Sequence, residues 1–134
     1  MKDKEKARII IAGCRSFNNY DLLCEEVNKI LNKFFDQGYT KRDIVFISGN
    51  AIGADMCGER FAHEHGFQIK RFPAEWNIYG KPAGMIRNRQ MAEYASEEGH
   101  DGMLIAFWNG TSRGTKNMID NAKKYKLKTI VVYI

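Results

Sequence analysis

The most informative stretch of the chain is Asp43-Ile44-Val45-Phe46-Ile47-Ser48-Gly49-Asn50-Ala51-Ile52-Gly53-Ala54-Asp55. A run of apolar, largely β-branched residues with no polar alternation reads as a strand covered on both faces. It stops at Gly49, and small residues fill the loop that follows. A helical pattern then occupies Gly53 to His65, with Met56, Cys57, Arg60, Phe61 and Glu64 in its body and Gly66 as its stop.

Working outward, the same unit recurs. Upstream, Arg8–Ala12 reads as a buried strand ending at Gly13. Asp21 to Phe35 carries Leu22, Leu23, Val27, Ile30, Leu31, Phe34 and Phe35 at steps of three and four, the apolar stripe of a helix, and Gly38 follows it. Downstream, Phe67–Phe72 is a third strand stopped by Pro73, and Ala74 to Lys81 is a loop. A helix is expected from Pro82 to Ser96, since proline suits the first turn. Gly102–Phe107 is a fourth strand, Trp108 to Arg113 a polar loop, Gly114 to Tyr125 the last helix and Lys128–Tyr133 the fifth strand. Strict β-α alternation with right-handed crossovers implies an α/β fold, a Rossmann-like three-layer sandwich around a five-stranded parallel sheet. One domain is expected over residues 1–134, with 1–7 as an N-terminal tail.

The totals bound the function. The chain has 134 residues, 44% hydrophobic and 28% charged, enough for one packed core and unlike a disordered chain. The formal net charge of +5 favours anionic partners without choosing between nucleic acid and small phosphates. No apolar run approaches the ~20 residues that span a bilayer. The charged start, Met1-Lys2-Asp3-Lys4-Glu5-Lys6, lacks a secretory core. The expectation is a cytoplasmic protein with no membrane partner. Cys14, Cys24 and Cys57 form no CxxC pair and read as small buried hydrophobes. His63, His65 and His100 show no metal spacing, so neither a metal nor a cofactor is expected.

In open parallel sheets ligands bind beyond the carboxyl ends of the strands, and all four loops there are unusual. The first is Gly13-Cys14-Arg15-Ser16-Phe17, where Gly13 permits a sharp turn and Arg15 suits phosphate. The second runs from Ser48 through Gly49 and Gly53 to Asp55, whose small residues leave amides open to an anion. Asp55 is either a helix cap or, with Glu59 four residues on, a pair for a ribose hydroxyl or acid/base work. The third contains Trp76, Tyr79 and Lys81 and leads to Arg87 and Arg89, of which at most one faces the pocket. Trp76 stacks on a base or packs the loop down. The fourth is Trp108-Asn109-Gly110-Thr111-Ser112-Arg113-Gly114-Thr115, in which Gly110 and Gly114 bracket hydroxyls and an arginine. It reads as a phosphate cradle, or as a helix start capped by Ser112 or Thr115.

Taken in series, these loops resemble the SLOG superfamily, and within it the YspA-type, cpYpsA-related family. The resemblance spans Gly13–Phe17, Ser48–Asp55 with Gly58-Glu59, Pro73–Trp76, Gly80–Gly84 with Arg87-Asn88, and Trp108–Thr115. It implies a Rossmann-like sheet and a nucleotide-related ligand. The superfamily includes the LOG phosphoribohydrolases, which cleave the N-glycosidic bond of nucleoside monophosphates, and the DprA/Smf proteins, which bind single-stranded DNA. Two departures stand out. Asn50 replaces a second glycine, and Met118 stands where the LOG hydrolases carry their catalytic glutamate. By analogy with related folds, a homo-oligomer is conceivable.

Three functions follow as expectations. The first is a binding, sensing or processing module for a phosphorylated, nucleotide-derived small molecule. Ser112, Arg113, Gly114 and Thr115 would hold phosphate, with charge from Arg15 and Lys81. Asp55 or Glu59 would take a ribose hydroxyl, and Trp76 the base. The second is a nucleotide N-glycosidase using Asp55, Glu59 or Glu75 in place of the missing glutamate. The third, single-stranded DNA binding, ranks last because no aromatic platform follows a basic groove.

Overall fold

Ile9, Ile10 and Ile11 are all inaccessible to solvent, so consecutive side chains of one strand are covered on both faces of a sheet. The computed structural model describes residues 5–134. In chain order its elements are β1 (Ala7–Gly13), α1 (Tyr20–Asp36), β2 (Ile44–Ser48), α2 (Ala54–Glu64), β3 (Gln68–Arg71), α3 (Trp76–Tyr79), α4 (Ala83–Ala95), β4 (Asp101–Trp108), α5 (Arg113–Lys124) and β5 (Lys128–Tyr133). All strand pairs are parallel, in the order β3-β2-β1-β4-β5.

The two faces separate cleanly. Ile9, Ile11 and Phe46 pack with Leu23, Val27 and Phe61 of α1 and α2. Ile10, Ile47 and Leu104 pack with Met91, Ala92, Met118 and Ile119 of α4 and α5. This is the expected three-layer α/β sandwich. Local signals fix the helix starts: Asn19 Oδ1 accepts from the Leu22 amide (3.1 Å), so α1 begins where an Asx residue precedes the apolar stripe.

Four details differ from the sequence reading. β3 is an edge strand, so its outer side chains, Gln68, Lys70 and Arg71, are polar and exposed, and Phe67 and Phe72 only flank it. The loop expected over Ala74 to Lys81 contains α3, a single helical turn. Asp43 belongs to a short 3₁₀ turn, Lys41–Asp43, where its carboxylate accepts from the Thr40 amide (2.8 Å) and closes a capping box. Finally, Ala7 already opens β1, and the Lys6 backbone bridges Asp43 (2.6 Å) and Asp101 (2.8 Å). Of the tail expected over 1–7, residues 1–4 lie outside the described residues. Among the described residues, no helix is long and apolar enough to cross a membrane.

Candidate functional site

The chain winds from β1 outward through β2 to β3, then crosses back to place β4 on the other side of β1. The loops after β1 and β4 therefore part in opposite directions, and a crevice is left at their carboxyl ends. A cleft of about 670 Å³ occupies this edge, opening on the side of α4 and α5.

Its floor is the loop after β2. Ser48 Oγ donates to Glu59 Oε2 (2.6 Å) and accepts from the Asn50 amide (2.9 Å). Glu59 Oε1 accepts from Arg71 Nε at 2.8 Å. Asn50 adopts φ 59°, the left-handed backbone that its short amide side chain tolerates. Asp55 Oδ2 accepts from the Ala51 amide (3.3 Å). Arg87, half-buried on α4, donates through Nη1 to the Gly49 carbonyl and through Nε to Asn88 Oδ1 (3.0 Å). Gly49 is wedged between the two charges. A Cβ there would lie 2.7 Å from Asp55 Oδ2 and 2.8 Å from Arg87 Nη1, so any side chain would have to push both charged ends aside.

Asp55 is 5% exposed. Burial pushes its carboxyl up to about 6, opposed by the Ala51 amide and the Arg87 charge. Burial likewise draws the Arg87 guanidinium below its ordinary range, with Asp55 opposing. A carboxyl raised in the folded state keeps a proton that the unfolded chain has already released. Its stabilising share is full at acid pH and is lost as pH rises from about 4 through about 6. Asp55→Asn should therefore gain stability relative to the parent across that window, by on the order of 2–3 kcal/mol at neutral pH. Urea melts at pH 4.5 and 7.5 test this, and an equal difference at both pH values would contradict it.

The far wall is the start of α5. Ser112 is its N-cap: Oγ accepts from the Thr115 amide (3.4 Å) and lies 3.0 Å from Thr115 Oγ1. Asn109 Oδ1 accepts from the amides of Thr111 and Ser112, both 2.9 Å, and Trp108 Nε1 donates to the Ser112 carbonyl (3.0 Å). Asn88 Nδ2 donates to the Gly114 carbonyl (3.2 Å) and to Asn117 Oδ1 (3.0 Å), tying α4 to α5. Residues in the first turns of α2, α4 and α5 all line the cleft, so three helix N-termini present their positive ends to it. Arg15, Lys81 and Arg87 add three cations, against Asp55 as the carboxylate on the wall.

Most sequence-derived site residues gather here. Gly13, Arg15, Gly49, Asp55, Trp76, Lys81 and Arg87 line the cleft, as do Ser112, Gly114 and Thr115. Arg87 faces it and Arg89 is exposed elsewhere, as one helix face requires. Six residues do not reach the wall. Ser48 and Glu59 are engaged beneath the loop with each other and Arg71. Gly53 is consumed by contact with the loop after β1. Ser16, Gly110 and Arg113 are exposed beside the cleft. Gly13 serves close approach rather than a turn: it remains paired in β1, where a Cβ would lie 2.4 Å from the Phe107 carbonyl oxygen. Of the two expectations at the α5 start, the cap is observed at Ser112, which also lines the cleft. Asn88 and Met118 are cleft residues that the motifs do not single out for a ligand. An asparagine within the apolar pattern of the expected Pro82 to Ser96 helix was the available signal.

A second cavity of about 460 Å³ lies at the opposite edge, lined by Lys33, His100, Tyr125 and their neighbours. The C-terminal turns of α1 and α5 meet it, and Lys33, Lys126 and Lys128 stand on its wall against Asp101.

Residues 7–79 match the YspA, cpYpsA-related SLOG family. The chain is also similar to the "Gene 61 protein" of Mycobacterium phage D29, 26% identical over 132 residues, which cover 92% of this chain and 94% of that protein. No solved structure gives a significant match. The family match takes in β1 to α3, and with them the floor of the cleft and the glycine-dependent contacts around it. On that match, which spans more than half its length, the chain belongs to the YspA, cpYpsA-related SLOG family.

Proposed function

We propose that the protein binds a phosphorylated, nucleotide-derived small molecule in the cleft at the carboxyl edge of its sheet. The observation that carries this reading is the convergence of three helix N-termini and three cationic side chains on one cleft of about 670 Å³. The phosphate sits at the α5 start, against Ser112, Gly114 and Thr115, with Arg15 and Lys81 adding charge. Asp55 accepts from a ribose hydroxyl, and Trp76, 58% exposed at the mouth, covers the base. Membership of a SLOG family supports a nucleotide-related ligand.

Thermal melts with nucleoside monophosphates and ADP-ribose at millimolar concentration test the reading. A ligand present at 100 times its Kd adds about 2.7 kcal/mol, a rise of several degrees. Gly114→Asp should cancel the rise by setting a carboxylate against the phosphate. The fold survives it, because a Cβ at Gly114 meets nothing within 4 Å. If no compound in that set raises the midpoint of the parent protein, the reading fails.

A second reading, cleavage of an N-glycosidic bond, is favoured by one observation. Asp55 is a carboxyl on the cleft wall, raised to about 6, where it exchanges a proton near neutrality. Glu59 is unsuited to that role, since Ser48 and Arg71 occupy both of its oxygens. Met118 brings no acid to the wall. Release of free base, followed by chromatography, distinguishes turnover from binding. Asp55→Asn should abolish release while keeping a thermal shift.

A further inference from the structure

Among the described residues, three of the nine large apolar side chains open to solvent gather in one place. Of the large hydrophobic residues open to solvent, Ile52, Trp76 and Met85 are 60%, 58% and 56% exposed, and all three line the cleft mouth. They come from three separate segments: the loop after β2, the single turn α3, and the first turn of α4. Their clustering needs an explanation, because exposing such groups in water is unfavourable and contiguous apolar surface marks a binding site. The patch adjoins the cationic part of the cleft. A Cβ placed at Gly84 would be 3.6 Å from both Trp76 Cη2 and Arg87 Nη2, so indole and guanidinium flank the same glycine.

In the reading above Arg15 and Lys81 serve the phosphate and Asp55 the ribose, and the other polar side chains near the patch are largely engaged. The Asn88 amide has both ends bonded, to Arg87 on one side and to Gly114 and Asn117 on the other. Asp55 is buried under the Ala51 amide. Arg87 is committed to Gly49 and Asn88. Among the described residues, this leaves Asn50 as the carboxamide on the cleft wall without a bonded side chain. Reading a base edge takes several placed donors and acceptors, whereas an apolar rim offers only surface, which every base matches with its π-face.

We infer that Ile52, Trp76 and Met85 form a clamp that holds the nucleobase by its faces, so that the site selects for a phosphorylated nucleoside and not for the identity of its base. The inference rests on the nucleotide reading above. Each ligand has its phosphate at the helix starts and its base between indole and thioether.

Titration calorimetry with AMP, GMP, CMP, UMP and ribose 5-phosphate tests it. The four nucleotides are expected within about threefold of one another, and ribose 5-phosphate at least tenfold weaker, from the loss of one stacked base. Trp76→Ala, at an exposed position that the core does not need, should weaken all four nucleotides about tenfold and leave ribose 5-phosphate unchanged. One nucleotide binding more than tenfold tighter than the rest overturns the clamp while the nucleotide reading stands. Asn50→Ala then identifies the reader, by erasing that preference. Equal affinity for ribose 5-phosphate and the nucleotides also overturns the clamp alone. If none of the five binds, both fall.

Discussion

Gly53→Ala should lower the thermal midpoint by roughly 10–20 °C, a loss of about 3–5 kcal/mol in a domain of this size. Two effects add. Gly53 has φ +93°, which an L side chain rarely adopts, and a Cβ there would sit 2.3 Å from the Cys14 carbonyl oxygen and 2.6 Å from Arg15 Cα. Those neighbours are backbone, so no side chain can swing aside. The loop after β1 would have to leave the start of α2, breaking the bond from the Ala54 amide to the Cys14 carbonyl (3.3 Å). Arg15 would move with it, so ligand binding should weaken as well. Gly66→Ala is the control. Its φ is +75° and a Cβ meets nothing within 4 Å, so only the backbone preference is lost, about 1 kcal/mol. A Gly53→Ala midpoint no lower than that of Gly66→Ala would show that the contact with the β1 loop contributes nothing.

The same residues show what sequence can and cannot disclose. The sheet and its helices were legible because periodicity is local: β1, β2 and β4 are apolar runs, and α1 and α5 carry clear stripes. α3 was not, since Trp76-Asn77-Ile78-Tyr79 is too short for any period to register. At the site, loops after strands could be nominated because parallel sheets send all of them to one edge. Which side chains then face inward depends on pairings across long separations. Asp55 and Glu59 share a face of α2, yet Glu59, one turn further along, meets Arg71 of β3 and Ser48 of β2. It thereby holds the loop and does not line the cleft. Arg113 is the first residue of α5, and its chemistry suggested a phosphate contact, but the helix start offers the cleft the flanking Ser112 and Gly114 instead. Removing the Arg113 side chain should consequently matter less than altering Gly114.

Arg87→Ala should cost about hundredfold in affinity for a nucleoside monophosphate, ~2.7 kcal/mol, and should push the Asp55 carboxyl above its present value of about 6. The guanidinium holds the cleft together from within. It reaches the Gly49 carbonyl and Asn88 Oδ1, and its charge counters the burial of Asp55. Its loss leaves a carbonyl and an amide oxygen without their donor, and a buried carboxylate without its cation. A phosphate then meets a weaker positive field, and the Gly49–Ala51 segment loses a support. Arg87→Lys should not restore binding, because an ammonium cannot occupy two acceptors in the fixed fork of a guanidinium. Carboxyl carbon shifts followed by NMR titration report Asp55 directly, and calorimetry at pH 5 and 8 reports the ligand. If Asp55 acts through Arg87, adding Asp55→Asn to Arg87→Ala recovers part of the lost stability, and the two changes are not additive. Full additivity, with an unmoved Asp55 titration in Arg87→Ala, would mean that the two charges ignore each other across Gly49.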